Sequence, residues 1–105
     1  MAVIQQGEIW WAEQPHEKAR PYLVITRQRA IQSMQSVSVA PVTSRVRGLA
    51  SEISLGPADG VPQECVAIFD NVRSISKSLF TRRAGMLAPG RWHEVCDAMR
   101  AAIDC

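Results

Sequence analysis

Two places in the chain hold residue types suited to a phosphate. Arg20 stands before an apolar run, Pro21 to Ile25, and Thr43-Ser44-Arg45 closes another, Val37 to Val42, with Arg47 two residues further on. An arginine fork, a hydroxyl donor and backbone amides are the groups that surround a tetrahedral anion. If the two runs are antiparallel neighbours, the start of one and the end of the other lie at the same edge of a sheet. Ordinary strand ends also look like this, with polar residues where the chain leaves the sheet, and spacing alone does not separate the two readings. No glycine-rich phosphate loop, Ser-His-Asp order, HExxH or paired-carboxylate motif occurs, which removes most familiar hydrolase and nucleotide-binding chemistries.

The elements that must position these residues are short. The chain has 105 residues, 47% hydrophobic and 21% charged, the size and composition of one ordinary globular domain, 1–105. No apolar run approaches the roughly 20 residues that span a bilayer. The start, MAVIQQGEIWW, lacks a basic region and a small-residue cleavage site. The protein is expected in the cytosol, with no membrane partner. Cys65, Cys96 and Cys105 are odd in number and far apart, which argues against a disulfide framework or a zinc site and for incidental thiols. Ten of the twelve basic residues are arginine, whose planar fork matches phosphate and stacks on bases. Nucleic acid is thus a permitted partner.

Short apolar runs, some alternating, separated by turn residues predict seven strands: EIWWAE after Gly7, YLVIT, SVSVAPVT (36–43), SEISL (51–55), CVAIF (65–69), VRSI (72–75) and RRAGML (82–87). Ile9 and Trp11 share one face of the first and Trp10 takes the other. Pro41 implies an edge, bulge or bend. RAIQSMQ (29–35) reads as a short helical connector and KSLF as a helical turn. Pro89 suits a first helical turn. Trp92, Val95, Cys96, Met99, Ala102 and Ile103 then follow a helical stripe, with Glu94, Asp97, Arg100 and Asp104 off it. The fold class is mainly β with a C-terminal helix, a small curved sheet or barrel capped by that helix.

In order along the chain, GEIWWAE (7–13), RPYLVIT (20–26), APVTSRVRG (40–48) and FDNVRSISK (69–77) resemble successive motifs of the MazF/PemK family of toxin endoribonucleases. The resemblance spans nearly the whole chain. It implies an SH3-like barrel of the CcdB/MazF type, a homodimer, and cleavage of single-stranded RNA (mRNA, tRNA or rRNA) without metal or other cofactor. It also implies neutralisation by a cognate, MazE-like antitoxin through a disordered and often acidic segment. On this resemblance the family's catalytic arginine falls on Arg20 and its catalytic Thr/Ser on Thr43. The acidic-amide pair used near the RNA falls on Asp70 and Asn71. The first loop, QPHEKA, is shorter than in many members and offers His16 and Glu17 in place of a Ser-Glu-Gln stretch.

Metal-free RNA cleavage can use the substrate's own 2′-hydroxyl, already beside the phosphorus it attacks. The expected ends are a 2′,3′-cyclic phosphate and a 5′-hydroxyl. Arg20 and Thr43 suit stabilisation of the developing phosphorane, while a guanidinium with a pKa above about 12 is a poor general base. Proton removal is left unassigned; His16 is either a base of suitable type or a solvated loop histidine. Ser44, Arg45 and Arg47 are candidate RNA contacts or plain loop residues. Trp10 or Trp11 can stack a base, although one of them must fill core. Arg82-Arg83 and His93 read as solvated surface. Two rivals stand beside this reading. One is a CcdB-like gyrase poison, against which the ending Ala-Ile-Asp-Cys counts because that family ends Trp-Gly-Ile. The other is a catalytically silent RNA- or peptide-binding barrel.

Overall fold

All seven predicted strands form. A computed structural model describes residues 3–104, with β1 Glu8–Ala12, β2 Arg20–Val24, β3 Ser36–Thr43, β4 Glu52–Leu55, β5 Cys65–Ile68, β6 Arg73–Ser76 and β7 Phe80–Met86. The helices are α1, Gln28–Ile31, and α2, Trp92–Ile103. Every strand pairing is antiparallel, in the order β4-β5-β3-β2-β1-β7 with β6 also on β3. No helix among the described residues is long and apolar enough to cross a membrane. Cys105 lies outside the described residues.

β3 is the pivot of the sheet. One side of it pairs with β2, while the other is divided between β6 (Ser36 to Val39) and β5 (Val42 and Thr43). Pro41 falls in the gap between those two ladders, where a residue without an N–H leaves no bond unmade. The irregularity that its presence predicts is this change of ladder partner. β2 begins at Arg20 and ends at Val24, two residues before the predicted strand YLVIT does. The Thr26 hydroxyl takes the Ser38 N–H at 2.7 Å, so a side chain replaces the backbone ladder there. β7 starts at Phe80 rather than Arg82, because Phe80 pairs with Ala12.

Both faces of the central strands are buried, which is why YLVIT reads as a nearly continuous apolar run. Ile9, Leu23, Ala40, Val42 and Ala67 pack on one face with Val95 and Ala98 of α2. Trp10, Tyr22, Val24, Val37, Val39 and Ile75 fill the other. Trp10 is the tryptophan that goes to core; it meets Phe80 edge-on at 6.2 Å. The stripe of α2 is narrower than its sequence suggests. Ala98 is buried, whereas Cys96 and Ile103 are exposed, because a helix resting on one sheet face covers only the positions near its contact line.

Arg83 is not plain surface. Its Nε donates to Glu8 Oε2 at 2.6 Å. The other oxygen of buried Glu8 accepts from Gln5 N at 2.7 Å and Trp10 Nε1 at 3.0 Å. A buried carboxylate needs such complete pairing. Arg82 lies over the Trp11 ring, 5.2 Å from its centroid.

Candidate active site

The β2–β3 register pairs Tyr22 with Pro41, Leu23 with Ala40 and Val24 with Val39. Continued two residues, it sets Arg20 opposite Thr43. Antiparallel pairing thus brings the two sequence candidates to one edge, across 23 residues of chain. Arg20 is exposed and makes no ion pair among the described residues, so its guanidinium is uncommitted. The Thr43 oxygen accepts the Arg45 N–H at 3.2 Å. That bond fixes the hydroxyl and leaves its proton free to donate elsewhere.

A cavity of about 430 Å³ opens on the Arg20 side, lined by Glu17, Arg20, Pro41, Asp70, Asn71 and Arg73. Asp70 and Asn71 sit in a 3-10 turn, Phe69–Asn71, between β5 and β6. The Ser51 hydroxyl, buried at the start of β4, donates to Asp70 Oδ2 at 2.6 Å. The phenylalanine that opens the turn donates its N–H to Ser51 O at 2.9 Å. Two bonds therefore aim the Asp70 carboxylate. Glu17 takes Arg73 Nη1 at 3.4 Å, and Arg73 also reaches the Tyr22 hydroxyl at 3.5 Å. The Tyr22 hydrogen bond, followed by Glu17, holds the Arg73 guanidinium above its ordinary value, so it is a permanent cation.

In the sequence Arg73 reads as one alternating polar residue of a strand, with no local signal of a site. Only the pairing of β6 with β3 brings it beside Arg20. Of the first-loop pair, Glu17 enters the cavity. His16 is exposed with φ +66°, a left-handed turn position that histidine adopts more readily than most residues.

A second cavity, of about 190 Å³, opens where β3 ends. Thr43 and Ser44 line it with Trp11, Pro21, Gln63 and Cys65. Pro21 and Val42 border this cavity while Arg20 and Pro41 border the other, as alternation along a strand requires. Arg20 and Thr43 are neighbours by register, yet each lines a different cavity. Burial, followed by Asp59 and Glu64, pushes the Cys65 thiol up, which keeps it neutral. The loop after Thr43 is shaped by Glu52, whose Oε1 accepts from Arg47 N, Gly48 N and Leu49 N at 3.2, 3.0 and 3.4 Å. Arg45 and Arg47 project from it, exposed. No group of three His, Cys, Asp or Glu that could hold a metal occurs among the described residues.

A family model for PemK-like, MazF-like toxins of type II toxin–antitoxin systems matches residues 5–103. The chain is 38% identical over 105 residues to a Mycobacterium tuberculosis protein named probable endoribonuclease MazF5, covering 99% of this chain and 96% of that one. Among solved structures, the Mycobacterium tuberculosis toxin MazF-mt6 superposes with a TM-score of 0.86 at 33% identity, covering 92% of this chain and 96% of that one. An endoribonuclease from a mycobacterial species, solved in complex with its cognate antitoxin, shares the fold at a TM-score of 0.84 and 17% identity, covering 97% and 96%. By the match along almost its whole length, the chain belongs to the PemK/MazF family of type II toxins.

Proposed function

We propose that this chain is a sequence-selective endoribonuclease toxin that cuts single-stranded RNA, with Arg20 and Thr43 at the scissile phosphate. The observation that carries this reading is the β2–β3 register, which, continued two residues past Tyr22 and Pro41, sets Arg20, without an ion pair among the described residues and lining a cavity rich in charge, opposite Thr43. Family membership and relatives named as endoribonucleases support it. The substrate's 2′-oxygen attacks the adjacent phosphorus and loses its proton. The P–O5′ bond breaks, and the leaving oxygen takes up a proton. The products are a 2′,3′-cyclic phosphate and a 5′-hydroxyl end. Arg20 neutralises the charge that builds on the phosphorane oxygens and Thr43 donates to one of them, and preorganised donors of this kind are often the largest catalytic term. Arg73 and the loop arginines Arg45 and Arg47 hold neighbouring phosphates. Asn71 and Asp70, the latter aimed by Ser51, face the strand in the same cavity.

The active form in this proposal is a homodimer. It is neutralised by a cognate antitoxin whose disordered acidic segment covers the basic groove; that a protein with the same fold was solved with its cognate antitoxin supports a partner of this kind. The test incubates purified protein with long unstructured RNA of varied sequence in the presence of a chelator, then maps the ends. Cuts at a short sequence with cyclic phosphate and 5′-hydroxyl ends are expected. Intact RNA, or cutting only after Mg²⁺ is added, overturns the proposal. A gyrase-dependent DNA-cleavage assay separates the CcdB-like rival.

A further inference from the structure

The Arg20–Thr43 edge divides two cavities of opposite character. The larger carries Glu17, Arg20, Asp70 and Arg73. The smaller, at about 190 Å³, has no charged residue in its lining. A nucleic-acid strand presents two chemistries at such an edge. Its phosphates need cations, while its bases need flat apolar walls and a few hydrogen-bonding groups. The charged cavity serves the first need; of the second, the proposed cleavage chemistry uses only Thr43, at its edge.

The geometry points to the smaller cavity as a base-reading subsite. It takes one unstacked nucleobase next to the scissile phosphate, with Trp11, Pro21 and Pro62 as walls and the Gln63 amide reading the base edge. This assignment rests on the ribonuclease reading above. Four observations favour it. The volume is below the roughly 300–1,000 Å³ of sites that hold drug-sized ligands and suits a single planar group. Trp11 lines the cavity with Arg82 over its ring at 5.2 Å, an aromatic–guanidinium pair of the kind on which bases stack. Gln63 is exposed at the rim and offers both a donor and an acceptor, which distinguishes bases by their edges. Finally, the loop that carries Gln63 is anchored at its start. The segment before Gln63 is anchored where Gly60 and Gly85 meet backbone to backbone, so close that a Cβ on Gly60 would overlap the Ala84 carbonyl and one on Gly85 the Asp59 carbonyl. Val61 beside it is buried. A reading group on a loop anchored a few residues away discriminates better than one on a long free loop.

The test compares wild type with Gln63→Leu and Gln63→Glu on an RNA carrying a randomised segment, sequencing the new 5′-hydroxyl ends. Gln63 is exposed, and unchanged melting temperatures verify that both variants fold. Gln63→Leu should still cut but lose about tenfold or more of its preference at one position beside the cut, as expected for lost base-edge hydrogen bonds. Gln63→Glu, an acceptor only, should change which base is preferred at that same position. Identical preferences in all three proteins overturn the subsite while leaving the ribonuclease reading intact. Unchanged preferences with weakened inhibition by an antitoxin peptide would assign the cavity to a protein ligand and overturn it as well. Absence of cutting by wild type sinks the underlying ribonuclease reading.

Discussion

Replacing Arg20 by alanine separates a catalytic arginine from one that merely marks a strand end. Arg20 is the first residue of β2, paired with Ala12 at the sheet edge. Its side chain is exposed and makes no ion pair among the described residues. Substitutions at such positions change stability by no more than about 0.5 kcal/mol. For a domain of this size that is a shift of about 2–4 °C in melting temperature. The effect on chemistry should be far larger, because losing one preorganised donor to a developing oxyanion costs about 10²–10³ in kcat. The assay is single-turnover cleavage of a short RNA containing the mapped site, with enzyme in excess. Arg20→Ala should slow the step by about 100- to 1,000-fold and affect kcat more than KM, since the interaction is made chiefly in the transition state. Arg20→Lys keeps the charge without the planar fork and should fall between the two. Less than a tenfold loss would refute the assignment. A melting temperature that collapses together with activity would show instead that Arg20 serves the strand end.

Arg73→Ala should weaken RNA binding and reduce the slope of log affinity against log salt by about 0.7, the contribution of one phosphate contact on a single strand; an unchanged slope removes Arg73 from the interface. Gly85→Ala puts a Cβ 2.8 Å from the Asp59 carbonyl carbon, and such overpacking should cost about 1–3 kcal/mol. A urea midpoint equal to wild type would contradict that contact. Arg91 clamps the start of α2 through Glu94 (2.8 and 2.9 Å), Asp59 (3.4 Å) and Ser54 O (2.7 Å). Its hydrogen bond holds the Glu94 carboxyl below its ordinary value. The folded state therefore binds that proton less readily than the unfolded chain, so the stabilisation is complete above the ordinary carboxylate range. It fades as pH falls through the depressed value. Glu94→Gln should lower the urea midpoint at pH 7 and approach wild type in acid; a gap that stays constant with pH would refute the pairing.

Much of the fold was legible because it rests on local rules. Short apolar runs, alternation and turn residues marked all seven strands, and Pro41 marked the point where β3 changes partners. Trp92, Val95, Met99 and Ala102 marked the covered side of α2, although their period could not tell that Cys96 and Ile103 would lie just outside it. The Arg20–Thr43 edge followed from a single supposition, that their strands are antiparallel neighbours. The rest depended on contacts between distant parts of the chain. Arg83 looked like surface because its partner, Glu8, is 75 residues away. Arg73 looked like an ordinary strand residue because Glu17 is 56 residues away.

By itself, the amino-acid sequence determined the elements, since the periods of apolar side chains are dictated by backbone geometry within each segment. It also determined the residue types that can meet a phosphate. Only the tertiary structure decided which of them share a cavity. Pairing β3 with β2, β5 and β6 gathers Glu17, Arg20, Asp70 and Arg73 on one side and leaves Thr43, Trp11 and Gln63 around an uncharged hollow on the other. No local pattern encodes that division, because it arises from which strands become neighbours and from the alternation of side chains across the sheet they form.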